Sequence, residues 1–346
     1  MPIRMLYDGW PLAYAPLSPA AWHLRTLLAA APEGVEPLLA LPTDPQNAPL
    51  PDGPKAVYWH SHARGDWEQR ILPQLAAEHA ADAIHTCGLG ASLLGKTPSV
   101  ASPAEPEVPG GRSLLQAAMG RGGLARAHIL WPQDLPAPRL PGVLQRLSPA
   151  VHPSFTPTRP RQAPAGLPDE YVLVLGLVDE AALSALLDSW SWASASIGEY
   201  YPLLLAPTDA RHAAWLQSQL EAQHASDTLQ VAPLLDPSEQ AALLQCSTAV
   251  VCAAPPLAWG DPYRQALACG KAIVALQNAS SEALLGSAGY LLQPGDSRAF
   301  GAAIITVVVD EKVREELEDS AIKRSAGWTQ AVFAGQLAEH YRKLGA

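Results

Sequence analysis

The sequence predicts an α/β protein with two doubly wound parallel sheets in tandem, and three observations support this. Short apolar runs rich in β-branched residues alternate with amphipathic helical segments, which is typical of parallel sheets covered on both faces. The 346 residues exceed one ordinary core and fit two domains of roughly 150 to 180 residues. Prolines recur from Pro153 to Pro168, the composition of a semi-rigid linker between domains.

The first half shows the alternation from its first residues. Ser18 and Pro19 supply an N-cap and a first-turn proline for a helix. The predicted strands cover residues 3–7, 56–59 and 83–85, with a helix over 67–80. Residues 101–147 contain seven prolines and a glycine-rich patch, so we expect loops and short helices there.

The second half begins with a new run of strands at residues 171–178. Further strands are predicted in the segments PLLLAP, TLQVAP, TAVVCAA, KAIVAL and AGYLLQ, with helices over 181–190, 211–224, 238–246 and 262–269. We therefore predict a first domain over 1–155, a linker over 156–169, a second domain over 170–325 and a C-terminal helix over 326–346.

Composition narrows the possible partners. The net charge of −10 argues against a nucleic-acid partner, because phosphate binding needs a basic face. We find no apolar run long enough to span a membrane, and the N-terminal segment has a strand pattern rather than that of a signal peptide, so we expect a cytoplasmic protein. The four cysteines lack metal-ligand spacing, so we expect buried free thiols and no metal site.

The stretch VVCAAPPLAWGDPYRQALACGKAIVALQNASSEALLGSAGYLLQPG resembles the nucleotide-sugar half of retaining glycosyltransferases of family 4. The segments DGWPLAYAPLSPAAWHLRTLL, ADAIHTC and SPAVHPSFTP are similar to the first half of that family. The resemblance implies a GT-B fold, in which two Rossmann-like domains face a cleft and a C-terminal helix crosses back to the first domain. It also implies a nucleoside diphosphate sugar as the ligand, with no metal and no other cofactor.

The residues that hold the donor in that family are replaced. Two glutamates separated by seven residues correspond to Leu257 and Gln265. An Arg and a Lys normally follow the first strand of the second domain, but here Gly176 is followed by Leu177 and soon by Asp179. An acid at that point repels a diphosphate, so the predicted donor site is degenerate.

The resemblance assigns further positions. It places His85 at the reaction centre, beside the transferred sugar. Its donor-side positions are Gly176, Gly260, Asp261, Gln265, Ser280, Ser281 and Glu282, and its acceptor-side positions are Tyr14, Ser18 and His60.

Three functions fit this sequence. The first is a catalytically silent or partner-dependent relative of the transferases, working with a related active transferase or with a second copy of itself. The second is an active retaining glycosyltransferase with an unusual donor site. The third is a module that senses nucleotide sugars or glycans. Loss of the donor-site bases and both glutamates favours the first, because each charge-assisted hydrogen bond contributes about 1.5–3 kcal/mol.

Overall fold

The computed structural model describes residues 2–42, 53–61, 63–88, 90–93, 95–104, 114–158, 164–176, 179–223 and 227–344. Its chain divides into two compact units. Unit 1 comprises Met1–His152, Leu257–Gly260 and Trp328–Ala346, and unit 2 comprises Pro153–Pro256 and Asp261–Gly327.

Unit 1 is built on a seven-stranded sheet in the order β3-β2-β1-β4-β5-β6-β7, and its paired strands are parallel. The strands are β1 Ile3–Asp8, β2 Val35–Pro42, β3 Lys55–Trp59, β4 Ala83–Thr86, β5 Ser99–Ala101, β6 His128–Pro132 and β7 Val143–Leu147. The helices are α1 Trp10–Tyr14, α2 Pro19–Ala30, α3 Arg64–Asp66, a π-helical turn Trp67–Ile71, α4 Leu72–Glu78 and α5 Leu114–Leu124.

Unit 2 contains a six-stranded parallel sheet in the order β10-β9-β8-β11-β12-β13. The strands are β8 Val172–Leu175, β9 Leu203–Leu205, β10 Leu229–Val231, β11 Ala249–Cys252, β12 Ile273–Leu276 and β13 Gly289–Leu292. The helices from here to the end of the chain are α6 Glu180–Ile197, α7 Ala210–Ala222, α8 Pro237–Cys246, α9 Pro262–Ala268, α10 Ala279–Leu285, a 3-10 turn Gly286–Ala288, α11 Ser297–Val309, α12 Glu311–Ser325 and α13 Gln330–Leu344. The last of these, α13, belongs to unit 1.

Both sheets have the doubly wound strand order, which reverses direction beside the first strand of each unit. The reversal lies between β1 and β4 in unit 1 and between β8 and β11 in unit 2. Ligands of open α/β sheets bind outside the carboxyl ends of the strands at this switch point. The two parallel sheets confirm the fold class predicted from the sequence.

The expectation of loops and short helices over residues 101–147 is wrong in part, because β6 and β7 lie there in addition to α5. The prolines do not interrupt either strand. Pro132 is the last residue of β6 and Pro141 precedes β7. A proline at a strand end removes no essential ladder hydrogen bond, so proline content alone was a poor guide.

Each unit has its own apolar core. In unit 1 the core packs Met5, Leu24, Leu39 and Phe333 with their neighbours, and in unit 2 it includes Leu183, Trp190, Val251 and Ile304. The four cysteines are buried and free, as predicted. None of the helices among the described residues is both long enough and apolar enough to cross a bilayer.

Candidate functional site

His85 lies near the carboxyl end of β4, beside the switch point of unit 1, and its side chain has no solvent-exposed surface. Its Nδ1 is 2.5 Å from the Tyr341 hydroxyl, and its Nε2 is 2.7 Å from Ser102 Oγ. Burial, with a smaller contribution from His340, lowers the pKa of His85 to about 3. The imidazole is therefore neutral at physiological pH, and both of its nitrogens have partners inside unit 1.

A buried chain of polar contacts extends from His85 in both directions. Ser102 Oγ also lies 2.8 Å from His23 Nε2, and the Tyr7 hydroxyl lies 3.5 Å from that of Tyr341. A serine hydroxyl donates one hydrogen and accepts others, so it can bridge two imidazoles. We name these five residues the His85 network. It joins α2, β1, β4, the segment after β5 and α13 within unit 1.

Trp259 covers one end of the His85 network. Its ring stacks on His23 with centroids 4.9 Å apart and planes inclined by 21°, and its Nε1 donates to the Leu130 carbonyl at 3.0 Å. Only 2% of Trp259 is exposed. The segment Leu257–Gly260, which the sequence assigned to the donor site, belongs to unit 1.

Gly260 shows how closely this segment packs. A Cβ on Gly260 would lie 1.8 Å from the Pro19 carbonyl oxygen, and the residue has a φ of +60°. Pro19 opens α2, whose N-cap is Ser18. The contact thus lies at the N-terminal turn of α2, beside a position that the sequence assigned to the acceptor.

The donor-side positions of α9 are part of the packing of unit 2. Asp261 is the N-cap of α9, where its Oδ1 accepts from the Tyr263 amide at 3.2 Å. Its Oδ2 lies 3.6 Å from Arg264 Nη1, and both side chains are almost fully buried. Gln265 is 4% exposed. The Tyr263 hydroxyl donates to the Ala254 carbonyl at 2.7 Å, just beyond β11 at the switch point of unit 2.

The donor-side positions of α10 support the start of that helix. Asn278 is the N-cap. Ser281 Oγ accepts a hydrogen bond from the Asn278 amide and donates one to the Leu276 carbonyl, both at 2.8 Å. Ser280 donates its amide to Asn278 Oδ1 at 3.0 Å. Glu282 is exposed and accepts a hydrogen bond from Gln277. Each polar group has a local partner that accounts for its presence.

The loop after β8 holds the positions where the family carries its two bases. Gly176 has a φ of +100°, with only the Ala254 Cβ near the space that its own Cβ would fill. Leu177 lies outside the described residues. Asp179 is the N-cap of α6 and accepts from the Ala182 amide at 2.8 Å, which stabilises the first turn of that helix.

The three acceptor-side positions have different environments. The Tyr14 hydroxyl donates to the Ser61 carbonyl at 2.9 Å, and its ring packs on Trp10 with centroids 4.3 Å apart. Ser18 Oγ accepts from the Ala21 amide at 3.3 Å as the cap of α2. His60 is exposed.

A charged and aromatic cluster that the sequence did not predict lies at the end of β1. Asp8 is fully buried, and its Oδ1 accepts from Trp67 Nε1 at 2.7 Å and from the Trp10 amide at 3.0 Å. Arg64 lies 3.7 Å from Asp8 Oδ2, and its Nε donates to Glu68 at 2.6 Å. Burial raises the pKa of Asp8, although Arg64 opposes this. We name these five residues the Asp8 cluster.

A simple positional signal could have identified the Asp8 cluster. Asp8 follows directly after the apolar part of β1, and polar residues at the carboxyl ends of parallel strands lie where ligands bind. The same signal could not identify Arg64 as a member of the cluster, because 56 positions of chain separate it from Asp8. No group of three or more His, Cys, Asp or Glu residues in the described part of the chain is arranged to hold a metal ion.

Solved glycosyltransferases resemble this chain along its whole length. Sucrose-phosphate synthase from Thermosynechococcus elongatus matches with a TM-score of 0.68 and 15% identity, covering 99% of both chains. WaaG, a glycosyltransferase involved in lipopolysaccharide biosynthesis, matches with a TM-score of 0.69 and 12% identity over 98% of this chain and 99% of its own. The chain has a GT-B fold.

A third GT-B structure carries ligands. Anabaena HepE in complex with UDP and glucose matches with a TM-score of 0.65 and 14% identity, covering 99% of this chain and 98% of its own. At these identities the likeness establishes the fold alone. No protein-family model matches the chain, and neither does any curated protein.

Proposed function

We propose that this GT-B chain is a catalytically silent relative of the family 4 glycosyltransferases and acts through another protein. The observation that carries the proposal is the environment of His85. Both ring nitrogens are hydrogen-bonded inside unit 1 and the side chain is fully buried. A histidine that contacts a sugar at a reaction centre needs a free nitrogen and an accessible edge, and His85 offers neither.

The donor-side residues support the same proposal. The Leu257 side chain has no hydrogen-bonding group, and Gln265 lacks the charge of a glutamate. The two missing bases and the glutamate replaced by Leu257 are three lost charge-assisted interactions, which would contribute about 1.5–3 kcal/mol each. At 1.4 kcal/mol for each tenfold change, donor binding would weaken by roughly three orders of magnitude or more.

The packing of Trp259 adds support from the acceptor side. Trp259 and Gly260 fill the space beside the N-terminal turn of α2, next to Ser18. The resemblance assigned this region to the acceptor. An indole ring that is 2% exposed and hydrogen-bonded belongs to a packed interior, so no acceptor can occupy the same space without displacing it.

Thermal unfolding with a panel of uridine, guanosine and adenosine diphosphate sugars tests this proposal. A ligand at 100 times its dissociation constant stabilises a protein by about 2.7 kcal/mol. We expect no shift at millimolar donor. HepE, which has been solved with UDP-glucose, provides the positive control. A clear shift with turnover would establish an active transferase instead, and a shift without turnover would establish a sensor.

One observation favours glycan sensing as a second candidate. The Asp8 cluster lies at the switch point of unit 1, and it combines the half-buried ring of Trp10 with Arg64, whose side chain is 21% exposed. An aromatic face beside fixed polar groups suits a sugar ring. Under this candidate, neutral oligosaccharides would quench tryptophan fluorescence saturably, and Trp10→Ala would abolish the response while Trp192→Ala would keep it. An equal response in both variants would exclude the cluster.

A further inference from the structure

The outer strand β7 of the unit 1 sheet is exposed to solvent along most of its length. Residues 143–146 are exposed and only Leu147 is buried. Val143 is 60% exposed and Leu144 is 38% exposed. Among the described residues, β7 has a strand neighbour on one side only, which is β6. An apolar edge of this kind is a template for pairing with another strand.

The opposite edge of the same sheet is better protected. Strand β3 begins with Lys55 and buries Val57, and a charged residue on an edge strand disfavours pairing with another chain. Strand β7 also contains a cation, Arg146, but its guanidinium donates to the carbonyls of Gln133 and Leu135, both at 2.8 Å. The Arg146 guanidinium is therefore bound within its own unit, so it does not prevent another strand from pairing with β7.

The hydrogen bonds of β7 show which backbone groups face outward. The Val143 amide donates to the Ala127 carbonyl at 3.2 Å, and the Leu147 carbonyl accepts from Gln133 at 2.8 Å. Residues 143, 145 and 147 therefore direct their backbone groups to the inner side. Because these directions alternate along a strand, the amides and carbonyls of Leu144 and Arg146 point to the open side.

We propose that β7 pairs with β7 of a second copy of this chain, antiparallel and centred on Gln145. In this register Leu144 of one copy exchanges both backbone hydrogen bonds with Arg146 of the other. Val143 faces Leu147, and Gln145 faces its own counterpart across the two-fold axis. The contact is isologous, so it closes as a dimer and joins the two seven-stranded sheets into one.

The sequence of β7 favours a second copy over an unrelated partner. The segment VLQRL is self-complementary about its centre, with no like charges directly opposed. Each chain carries a net charge of −10, so the copies repel at long range and salt screens this repulsion. Pairing through one short strand lies at the small end of interface sizes, so we expect a weak, concentration-dependent dimer that strengthens with salt.

The variant Gln145→Cys tests the register directly. Residues that face each other across a non-hydrogen-bonded antiparallel position have Cα atoms about 4.5 Å apart, which a disulfide can span. Mild oxidation is expected to give a covalent homodimer on a non-reducing gel. Gln230→Cys is the matched control, because Gln230 is an exposed glutamine on the edge strand β10 of unit 2. The native cysteines are all buried, so they contribute little background.

Light scattering against protein concentration and salt completes the test. The wild-type chain is expected to show a dimer fraction that rises with salt, and Val143→Lys should remain monomeric. The proposal would be overturned if Gln145→Cys forms the disulfide-linked dimer no faster than Gln230→Cys does. It would also be overturned if the wild-type chain remains a monomer at high concentration. An association that weakens with salt would also overturn it, because salt screens the repulsion between two copies of equal charge and should favour their pairing. These failures would leave the proposed lack of catalysis unaffected.

Discussion

The Tyr341 hydroxyl lies 2.5 Å from Nδ1 of His85, although 256 positions of chain separate the two residues. This contact joins the last helix of the chain to a central strand of the unit 1 sheet. It also occupies Nδ1, the ring nitrogen of His85 that Ser102 does not contact. The histidine that the family resemblance places at a reaction centre thus contributes to the packing of unit 1.

Removing the Tyr341 hydroxyl tests how much this contact stabilises unit 1. Tyr341→Phe leaves Nδ1 of His85 buried without its partner, and such a group costs about 1–3 kcal/mol. Urea unfolding should show a loss of that size. Tyr200→Phe is the control, because Tyr200 is 72% exposed and surface changes usually stay within about 0.5 kcal/mol. Equal midpoints for the two variants would show that the contact contributes nothing.

Two glycines with positive φ allow the backbone cost of an alanine to be separated from a steric clash. Gly260→Ala brings a Cβ to 1.8 Å from the Pro19 carbonyl oxygen at a φ of +60°, whereas Gly34 has a φ of +77° and nothing within 4 Å of its Cβ position. Both alanines incur the backbone cost of about 1–2 kcal/mol, but only Gly260→Ala also displaces α2 or residues 257–260. We expect a clearly lower melting temperature for Gly260→Ala. Similar losses would contradict the close packing described for this segment.

Acid should destabilise the protein through its buried histidines. Burial, the largest cause in each case, lowers the pKa of His85 to about 3 and those of His152 and His340 to about 4. The unfolded chain has histidine pKa values near 6.5 and so binds more protons below that pH. Stability is therefore fully present above about pH 6.5 and is lost as the pH falls towards 4. The raised pKa of Asp8 acts in the opposite direction.

Urea titrations between about pH 7.5 and pH 5 measure this effect. His85 alone is expected to remove about 1.4 kcal/mol for each pH unit well below 6.5, and His85→Gln should flatten the profile. A free energy of unfolding that stays constant or rises on acidification over this window would show that the histidines are not held neutral by burial.

Introducing the two glutamates of the family that the sequence resembles should not create transfer. Leu257→Glu with Gln265→Glu supplies the carboxylates, but the diphosphate bases remain absent, and leaving-group charge is the main electrostatic demand of the reaction. Gln265 is also 4% exposed, so a carboxylate there would be largely desolvated. We expect no turnover with any sugar donor. Turnover at ordinary enzyme rates would contradict the account of the donor half.

The sequence predicted most of the fold because the relevant signals are local. Apolar runs located β1 and β8 to within a few residues, and Ser18 with Pro19 located the start of α2. Alternation of strands and helices then required parallel sheets. Strands β2, β5, β6 and β7 were not predicted. For β6 and β7, the nearby prolines lie at the end of one strand and just before the other, a distinction that composition cannot make.

The candidate site was less predictable because its contacts are long-range. The sequence identified His85 as a strand-end histidine, but nothing local indicates that Tyr341 and Ser102 occupy its nitrogens. Tryptophan is a residue type that often stacks on ligands, yet the ring of Trp259 stacks on His23. Periodicity predicts which face of an element is buried, but it does not identify the distant side chain that covers that face.

Release of nucleoside diphosphate from sugar donors is the most direct measurement of the central claim. The purified chain would be incubated with uridine, guanosine and adenosine diphosphate sugars, with HepE and its donor UDP-glucose as the positive control. Background hydrolysis is set by His85→Ala, which removes the side chain that the family resemblance places at the reaction centre. We predict that the wild-type chain releases nucleoside diphosphate no faster than this variant. Release well above that background, lost in His85→Ala, would contradict the account.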